Sequence, residues 1–244
     1  MIKMAGVLAI DLEAGKEERP ARQVTVEDFQ MEETAVTNDQ FGQFVRETGF
    51  KTDSEKFGWS FVFHTSVPNQ VKVDVSRAVK DATWWLHVDR AFWKQPFGPG
   101  TNVDGKGDFP VVHASWNDAK AYCRWAGKRL PSDKEWEFAA RGGLVDAKYP
   151  WGNELDPKRM NTWQGAFPMQ NSKLDGFEKV APANSLAPNA YGLYNMLGNV
   201  WEWVDDEFAV RLFAAFLSFF PHHRFVNVLA RKASSEGWVL YRFQ

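Results

Sequence analysis

GLYNMLGNVWEWVDDEF, residues 192–208, places two asparagines, two glycines and two tryptophans in a turn-rich run that closes on acidic residues. The segment is too apolar for an ordinary surface loop. It is also too rich in Gly and Asn for a helix or a central strand, since Gly loses the most backbone entropy on folding and Asn favours turns. Such a run is predicted to be buried yet irregular, so something other than a helix or strand ladder must satisfy its backbone. The character changes directly afterwards: VRLFAAFLSFF, residues 210–220, contains no Gly, Asn or Pro.

Composition bounds what can surround this segment. The chain has 244 residues, enough for one large domain or two small ones. Its net charge of −2 carries no footprint for nucleic acid or for an anionic membrane surface. Twelve tryptophans, 20 phenylalanines and 18 glycines fit aromatic anchors joined by ordered turns. The single cysteine, Cys123, excludes an internal disulfide, a CxxC pair and a multi-thiolate metal site. The N-terminal MIKMAGVLAIDLEAGKEERP lacks the uninterrupted apolar core of a signal peptide. No run reaches the ~20 apolar residues of a membrane-spanning helix.

Three helices are predicted from caps and periodicity. In TNDQFGQFVRETG, Thr37 and Gln40 form a capping box, Phe41, Phe44 and Val45 make one stripe, and Gly49 sits at the C-terminal stop. In SWNDAKAYCRWAGKR, Ala119, Tyr122, Cys123 and Ala126 share a face that ends at Gly127. In PSDKEWEFAARGG, Ser132 caps with Glu135, Trp136 and Ala139/Ala140 face inward, and Gly142-Gly143 stop the helix. RQVTVEDFQM and PVVHAS are predicted strands. From about 144 to 200 the chain reads as turns: YPWGN, FPMQNSKLDGF, APNAYGLYN. A segment this long without regular structure needs another source of rigidity. Hard cations are one source, because Ca²⁺ accepts carbonyl, amide and carboxylate oxygens together, and Asp175, Asn195 and Glu202 are candidates. Asx-turns made by the same residues are the other. Spacing alone leaves both open. With no repeat and no low-complexity linker, the chain reads as one domain over 1–204 with a divergent tail at 205–244.

GKEERPARQVTVEDFQMEETAVTNDQFGQFVRETG, SEKFGWSFVF, HASWNDAKAYCRWAGKRLPSDKEWEFAARGG, YPWGN, NTWQGAFP and YGLYNMLGNVWEW together resemble the formylglycine-generating enzyme (sulfatase-modifying factor) family. The resemblance runs from about residue 15 to 204, and FGWSFVF with WWLHVDRAFWKQPFGPG is closer to the catalytically inactive paralogue. It implies an α+β, C-type-lectin-like fold with little regular secondary structure and two structural calcium sites. One site maps onto Asn161, Asp175 and the carbonyls of Thr162 and Phe177. The other maps onto Asn195, Glu202 and the carbonyls of Gly198 and Val200.

The departures concern chemistry. Active family members oxidise a sulfatase cysteine to formylglycine with O₂ and a copper ion held by two thiolates near the C-terminus, and a soft Cu(I) site requires such ligands. Beyond Trp203 the family pattern (VLRGGSW, then a cysteine-bearing core and an NLGFRCA ending) is absent, and no cysteine follows. Copper is therefore not expected in this chain. In the family the cysteine matching Cys123 pairs with one in the missing ending, so a buried thiol on a helix stripe is expected here. His222-His223 lack a third ligand, and His64, His87 and His113 read as packed or hydrogen-bonded. The sulfoxide synthases that share this domain type need a histidine-rich helical partner domain, which this chain lacks.

For the tail two readings stay open: a helix anchored by Phe213, Phe216 and Phe220, or a segment replacing the family's C-terminal strands. Three function classes follow. The first is a non-catalytic homologue that binds sulfatases or the active enzyme, in the endoplasmic reticulum lumen by resemblance and with a homodimer implied by the paralogue. The second is a copper-dependent oxidase whose catalytic end is missing. The third is a peptide or carbohydrate binder on a lectin-like scaffold.

Overall fold

The computed structural model of the chain describes residues 2–5, 22–206 and 225–226. Most of the predicted tail, with Phe213, Phe216, Phe220, His222 and His223, lies outside the described residues, as do residues 1 and 6–21. The elements in chain order are β1 (Ile2–Ala5), β2 (Arg22–Thr25), α1 (Asn38–Thr48), α2 (Asp53–Phe57), β3 (Trp59–Phe63), α3 (Asn69–Lys72), β4 (Ala78–Val79), β5 (Ala82–Asp89), α4 (Trp116–Trp125), α5 (Asp133–Arg141), β6 (Glu202–Trp203) and β7 (Phe225–Val226). Of the described residues, 36–130 form one compact unit, and 2–5, 22–35, 131–206 and 225–226 form another.

In the 36–130 unit, α1 begins as its sequence predicts. The Thr37 hydroxyl accepts the Gln40 N–H, the Gln40 side chain accepts the Thr37 N–H at 2.9 Å, and Gly49 ends the helix at φ 66°. Its stripe meets α4 in an aromatic cluster of Phe41, Phe44, Trp93 and Tyr122, with ring centroids 5.4–5.9 Å apart. Cys123 sits half-buried at the margin of that cluster.

The sheet order is β3-β5-β4, all antiparallel. Period-2 reading missed it, because Trp59, Phe61 and Phe63 alternate with a strand face that is itself partly apolar, so no polar–apolar contrast marks the run. Val62 and Val88 point from it into a core with Val67 and Ala91.

PVVHAS is not a strand. Pro110 makes one isolated bridge with Thr37, Val111 N–H donates to the Val36 carbonyl at 2.9 Å, and His113 turns the chain at φ 61°. Pro supplies no ladder N–H and a left-handed residue ends an extended run, so pairing stops there. RQVTVEDFQM is likewise strand only over Arg22–Thr25, paired with β1 in the register Ile2↔Thr25.

The caps of α2 and α4 interlock. Asp118 accepts the N–H of its own cap residue Ser115 at 2.8 Å and that of Asp53, in the first turn of α2, at 3.0 Å. The Ser115 hydroxyl in turn donates to Asp53 at 2.6 Å. Asp118 is wholly buried, and desolvation raises its carboxyl pKa to about 6. His113 donates Nε2–H to the Pro96 carbonyl at 2.7 Å and accepts from Ser60 at Nδ1. Burial lowers its pKa to about 4.

The two shifts oppose each other. Asp118 binds a proton more tightly folded than unfolded, so its contribution declines as pH rises from about 4 to about 6. His113 binds one less tightly, so its contribution declines as pH falls from about 6.5 to about 4. Asp118→Asn removes the first slope and leaves the second. The variant should lose stability relative to wild type between pH 6.5 and 4.5, on the order of 2 kcal/mol, measured by urea denaturation at both pH values.

Candidate metal centre

In the other unit, α5 has the predicted Ser132/Glu135 box and stops at Gly142, φ 57°. Its buried face, Trp136, Ala139 and Ala140, packs on Leu193, Met196 and Val204 from the opening segment. Asn189 joins the two. Its amide donates to the Ala139 and Ala140 carbonyls at 2.7 and 3.2 Å, satisfying the end of α5, and its oxygen accepts the N–H groups of Tyr191 and Leu193. The apolar residues of 192–204 thus enter a core while Gly and Asn supply the turns between them. Residues 142–201 hold one 3₁₀ turn, Pro157–Arg159, as their regular structure, in line with the turn-rich reading.

Of the first predicted ligand group, the structure joins Thr162, Asp175 and Phe177 in one loop. Asp175 accepts the Thr162 N–H at 3.1 Å through one oxygen and the Phe177 N–H at 2.9 Å through the other. It is 9% exposed, and desolvation pushes its carboxyl above the ordinary carboxylate range. Among the described residues, the carbonyls of Thr162 and Phe177 receive no hydrogen bond. Asn161 donates Nδ2 to the Lys179 carbonyl at 2.9 Å and to Asn199 Oδ1 at 3.0 Å, which leaves its own Oδ1 as an acceptor. Gln164, fully buried, shapes the loop: Nε2 donates to the Pro157 carbonyl, and Oε1 accepts the Asp175 N–H.

The second group lies along the opening segment. Asn195, at φ 50°, donates Nδ2 to the carbonyls of Ala183 at 2.8 Å and Pro182 at 3.3 Å. Its Oδ1 is buried with no hydrogen-bond partner. An orphaned buried amide oxygen calls for an explanation, and a bound cation is one. The Val200 carbonyl, in a residue 1% exposed, also receives no hydrogen bond among the described residues, while the Gly198 carbonyl accepts the Val200 N–H. Glu202 is fixed by the Trp136 indole N–H at 2.6 Å.

Both groups offer only oxygen donors with one carboxylate apiece. Among the described residues no three of His, Cys, Asp and Glu gather. That donor chemistry fits a hard cation such as Ca²⁺ and does not suit a soft one. Sequence reading missed Gln164, Asn189 and Asn199, which hold the loops from behind. Their signal was slight: polar residues inside a turn-rich run look alike whether they face solvent or a neighbouring backbone.

The chain matches the sulfatase-modifying factor enzyme 1-like domain over residues 3–228. It belongs to this family. Over 192 residues it is 52% identical to the inactive C-alpha-formylglycine-generating enzyme 2 of Bos taurus, covering 78% of this chain and 64% of that protein. It is 53% identical, also over 192 residues, to the formylglycine-generating enzyme of Thermomonospora curvata, covering 78% and 63%. The formylglycine-generating enzyme of Mycobacterium tuberculosis is 38% identical over 227 residues, covering 85% and 70%. Among solved structures, PvdO from Pseudomonas aeruginosa superimposes with a TM-score of 0.59 at 23% identity, covering 86% of this chain and 69% of PvdO. That likeness speaks for the fold, a mixed helix-and-sheet architecture with little regular structure. The chain spans somewhat under two thirds of the first two relatives. No helix among the described residues is long and apolar enough to cross a membrane.

Gly198 runs so close to Asn161 that an added Cβ would collide with the Asn161 carbonyl oxygen, and its φ is +88°. Gly198→Ala should therefore destabilise the protein by about 3 kcal/mol, read as a lowered denaturation midpoint. Gly176→Ala, at φ 89° with open space around it, should cost about 1 kcal/mol.

Proposed function

We propose that this chain is a non-catalytic member of the formylglycine-generating enzyme family that holds two calcium ions and binds sulfatases or the active enzyme, modulating sulfatase maturation in the endoplasmic reticulum lumen. The observation that carries the non-catalytic half is the cysteine count: one thiol, Cys123, within 244 residues. It lies on the stripe of α4 against an aromatic cluster, a packing position, and one thiolate cannot make a two-thiolate copper site. Overall identity does not decide the matter, being the same toward relatives of either kind. The non-catalytic reading is supported instead by the single thiol in this sequence.

Calcium binding is supported by the oxygen-only donor sets and by Asn195 Oδ1. When bound, the ions would supply a fixed positive centre to each loop, with Asn161, Asp175 and the Thr162 and Phe177 carbonyls as ligands of one. Asn195, Glu202 and the Gly198 and Val200 carbonyls would ligate the other. Hard-cation binding of this kind stabilises the native state by mass action.

A second reading is favoured by the 53% identity to the Thermomonospora curvata enzyme and by the chain's partial span of its relatives. There the protein is the oxidase itself, with its thiolates outside this sequence. A transcript that carries two cysteines beyond Trp203 would support that reading over the first.

Two measurements test the proposal. Incubated with a sulfatase-type cysteine peptide, O₂ and copper, this chain should give no formylglycine above a no-protein control by peptide mass; conversion would overturn the non-catalytic assignment. Saturating calcium should raise the melting temperature by about 5–10 °C over an EDTA-treated sample. Asp175→Ala and Glu202→Ala should each roughly halve that gain, and an EDTA-insensitive transition would rule out calcium.

A further inference from the structure

We infer that Asn199, which has no place in either candidate ligand set, is a positioning residue that couples the two cation sites, so that filling one tightens the other. This rests on the calcium reading above. The geometry begins at the backbone. Asn161, a ligand candidate of the first site, and Gly198, a ligand candidate of the second, form a parallel bridge, and the Asn199 N–H donates to the Asn161 carbonyl at 2.7 Å. The Asn199 side chain, 7% exposed and at φ 68°, adds the lateral link. Its Oδ1 accepts from Asn161 Nδ2 at 3.0 Å and from the Ala181 N–H at 2.8 Å, and its Nδ2 returns to the Ala181 carbonyl at 3.2 Å.

The segment 179–183 is consequently a spine shared by both sites. Asn161 donates to Lys179, Asn199 pairs with Ala181, and Asn195 donates to Pro182 and Ala183. In Asn161 and Asn195 the Nδ2 group grips the spine, and the Oδ1 of the same amide is left as the cation ligand. A cation on Oδ1 polarises the amide and strengthens its N–H donation, because linked hydrogen bonds reinforce one another in a low dielectric. Occupancy at either site therefore orders the spine that positions the other site's amide, and the second ion meets a loop already arranged. Reciprocity requires the effect to run equally in both directions.

Calorimetric titration of the full chain with calcium tests the coupling. Wild type should bind two ions with a cooperative isotherm. Asn199→Gly keeps the positive φ but deletes the amide, and should bind two ions independently. Asp175→Asn leaves every second-site ligand in place, yet should weaken that site about fivefold or more; Glu202→Gln should do the same to the first site. These two variants carry the test even if Asn199→Gly does not fold. Non-cooperative binding in wild type, or single-site variants that leave the other site's affinity unchanged, would overturn the coupling while leaving calcium binding intact. Zero calcium bound to wild type would overturn the calcium reading and the coupling together.

Discussion

The requirement that every buried backbone polar group find a partner decides how residues 142–204 can fold. Helices and sheets meet it with repeating ladders, and this stretch has almost none. Asparagine amides meet it here instead. An amide carries the donor and the acceptor of a peptide group on a short side chain, so Asn199 pairs with Ala181 as a neighbouring strand would, using both N–H and C=O. Asn189 does the same for the end of α5 and the turn after it. A side chain can do so at one point without the partner strand's whole length being present. The fold can therefore keep its core while its connections stay irregular.

This economy has a geometric condition. Asn195 and Asn199 sit at φ 50° and 68°, a region that Asn tolerates better than other chiral residues, and Gly198 between them sits at 88°. The left-handed residues bend the chain so that apolar Met196, Leu197, Val200 and Trp201 are buried, while among the described residues the Val200 carbonyl receives no hydrogen bond. The composition of NMLGNVW follows from that bend. Met196, Leu197, Val200 and Trp201 supply burial, and Asn and Gly supply the curvature that a strand or helix would not allow.

How much of this could be read in the sequence depends on whether a signal is local. The capping boxes at Thr37 and Ser132 close within three residues, the stripe of α4 repeats within one turn, and α1, α4 and α5 lie where spacing places them. The opposite failures occur where tertiary partners decide. β3 and β5 lack a polar–apolar contrast, so nothing local distinguished FGWSFVF from any other aromatic run. PVVHAS has the composition of a strand but lacks the partner and the N–H at Pro110. In the candidate metal centre, Asp175, Asn195 and Glu202 stand out within the turn-rich run and the fuller ligand sets come from family resemblance, while the structure joins Thr162 and Phe177 to Asp175 by backbone hydrogen bonds. The supporting Gln164, Asn189 and Asn199 stayed invisible because their partners are backbone atoms up to 50 residues away, and backbone atoms leave no mark in a sequence.

The same distinction explains why near-equal identity to an inactive protein and to an enzyme carries so little functional information. The residues that build the irregular scaffold are many, mutually dependent and intolerant of change: Gly198 against the Asn161 carbonyl, Trp136 on Glu202, Asn199 across Ala181. A chemistry that needs two thiolates depends on two positions. Selection on the fold alone would hold the first set near the family pattern whether or not the second is kept, so identity over the scaffold measures folding constraints. Function within this family has to be argued at the thiols. In this chain the single cysteine that is present packs on the stripe of α4, beside Phe41 and Tyr122, where its environment rewards an apolar side chain more than a reactive one.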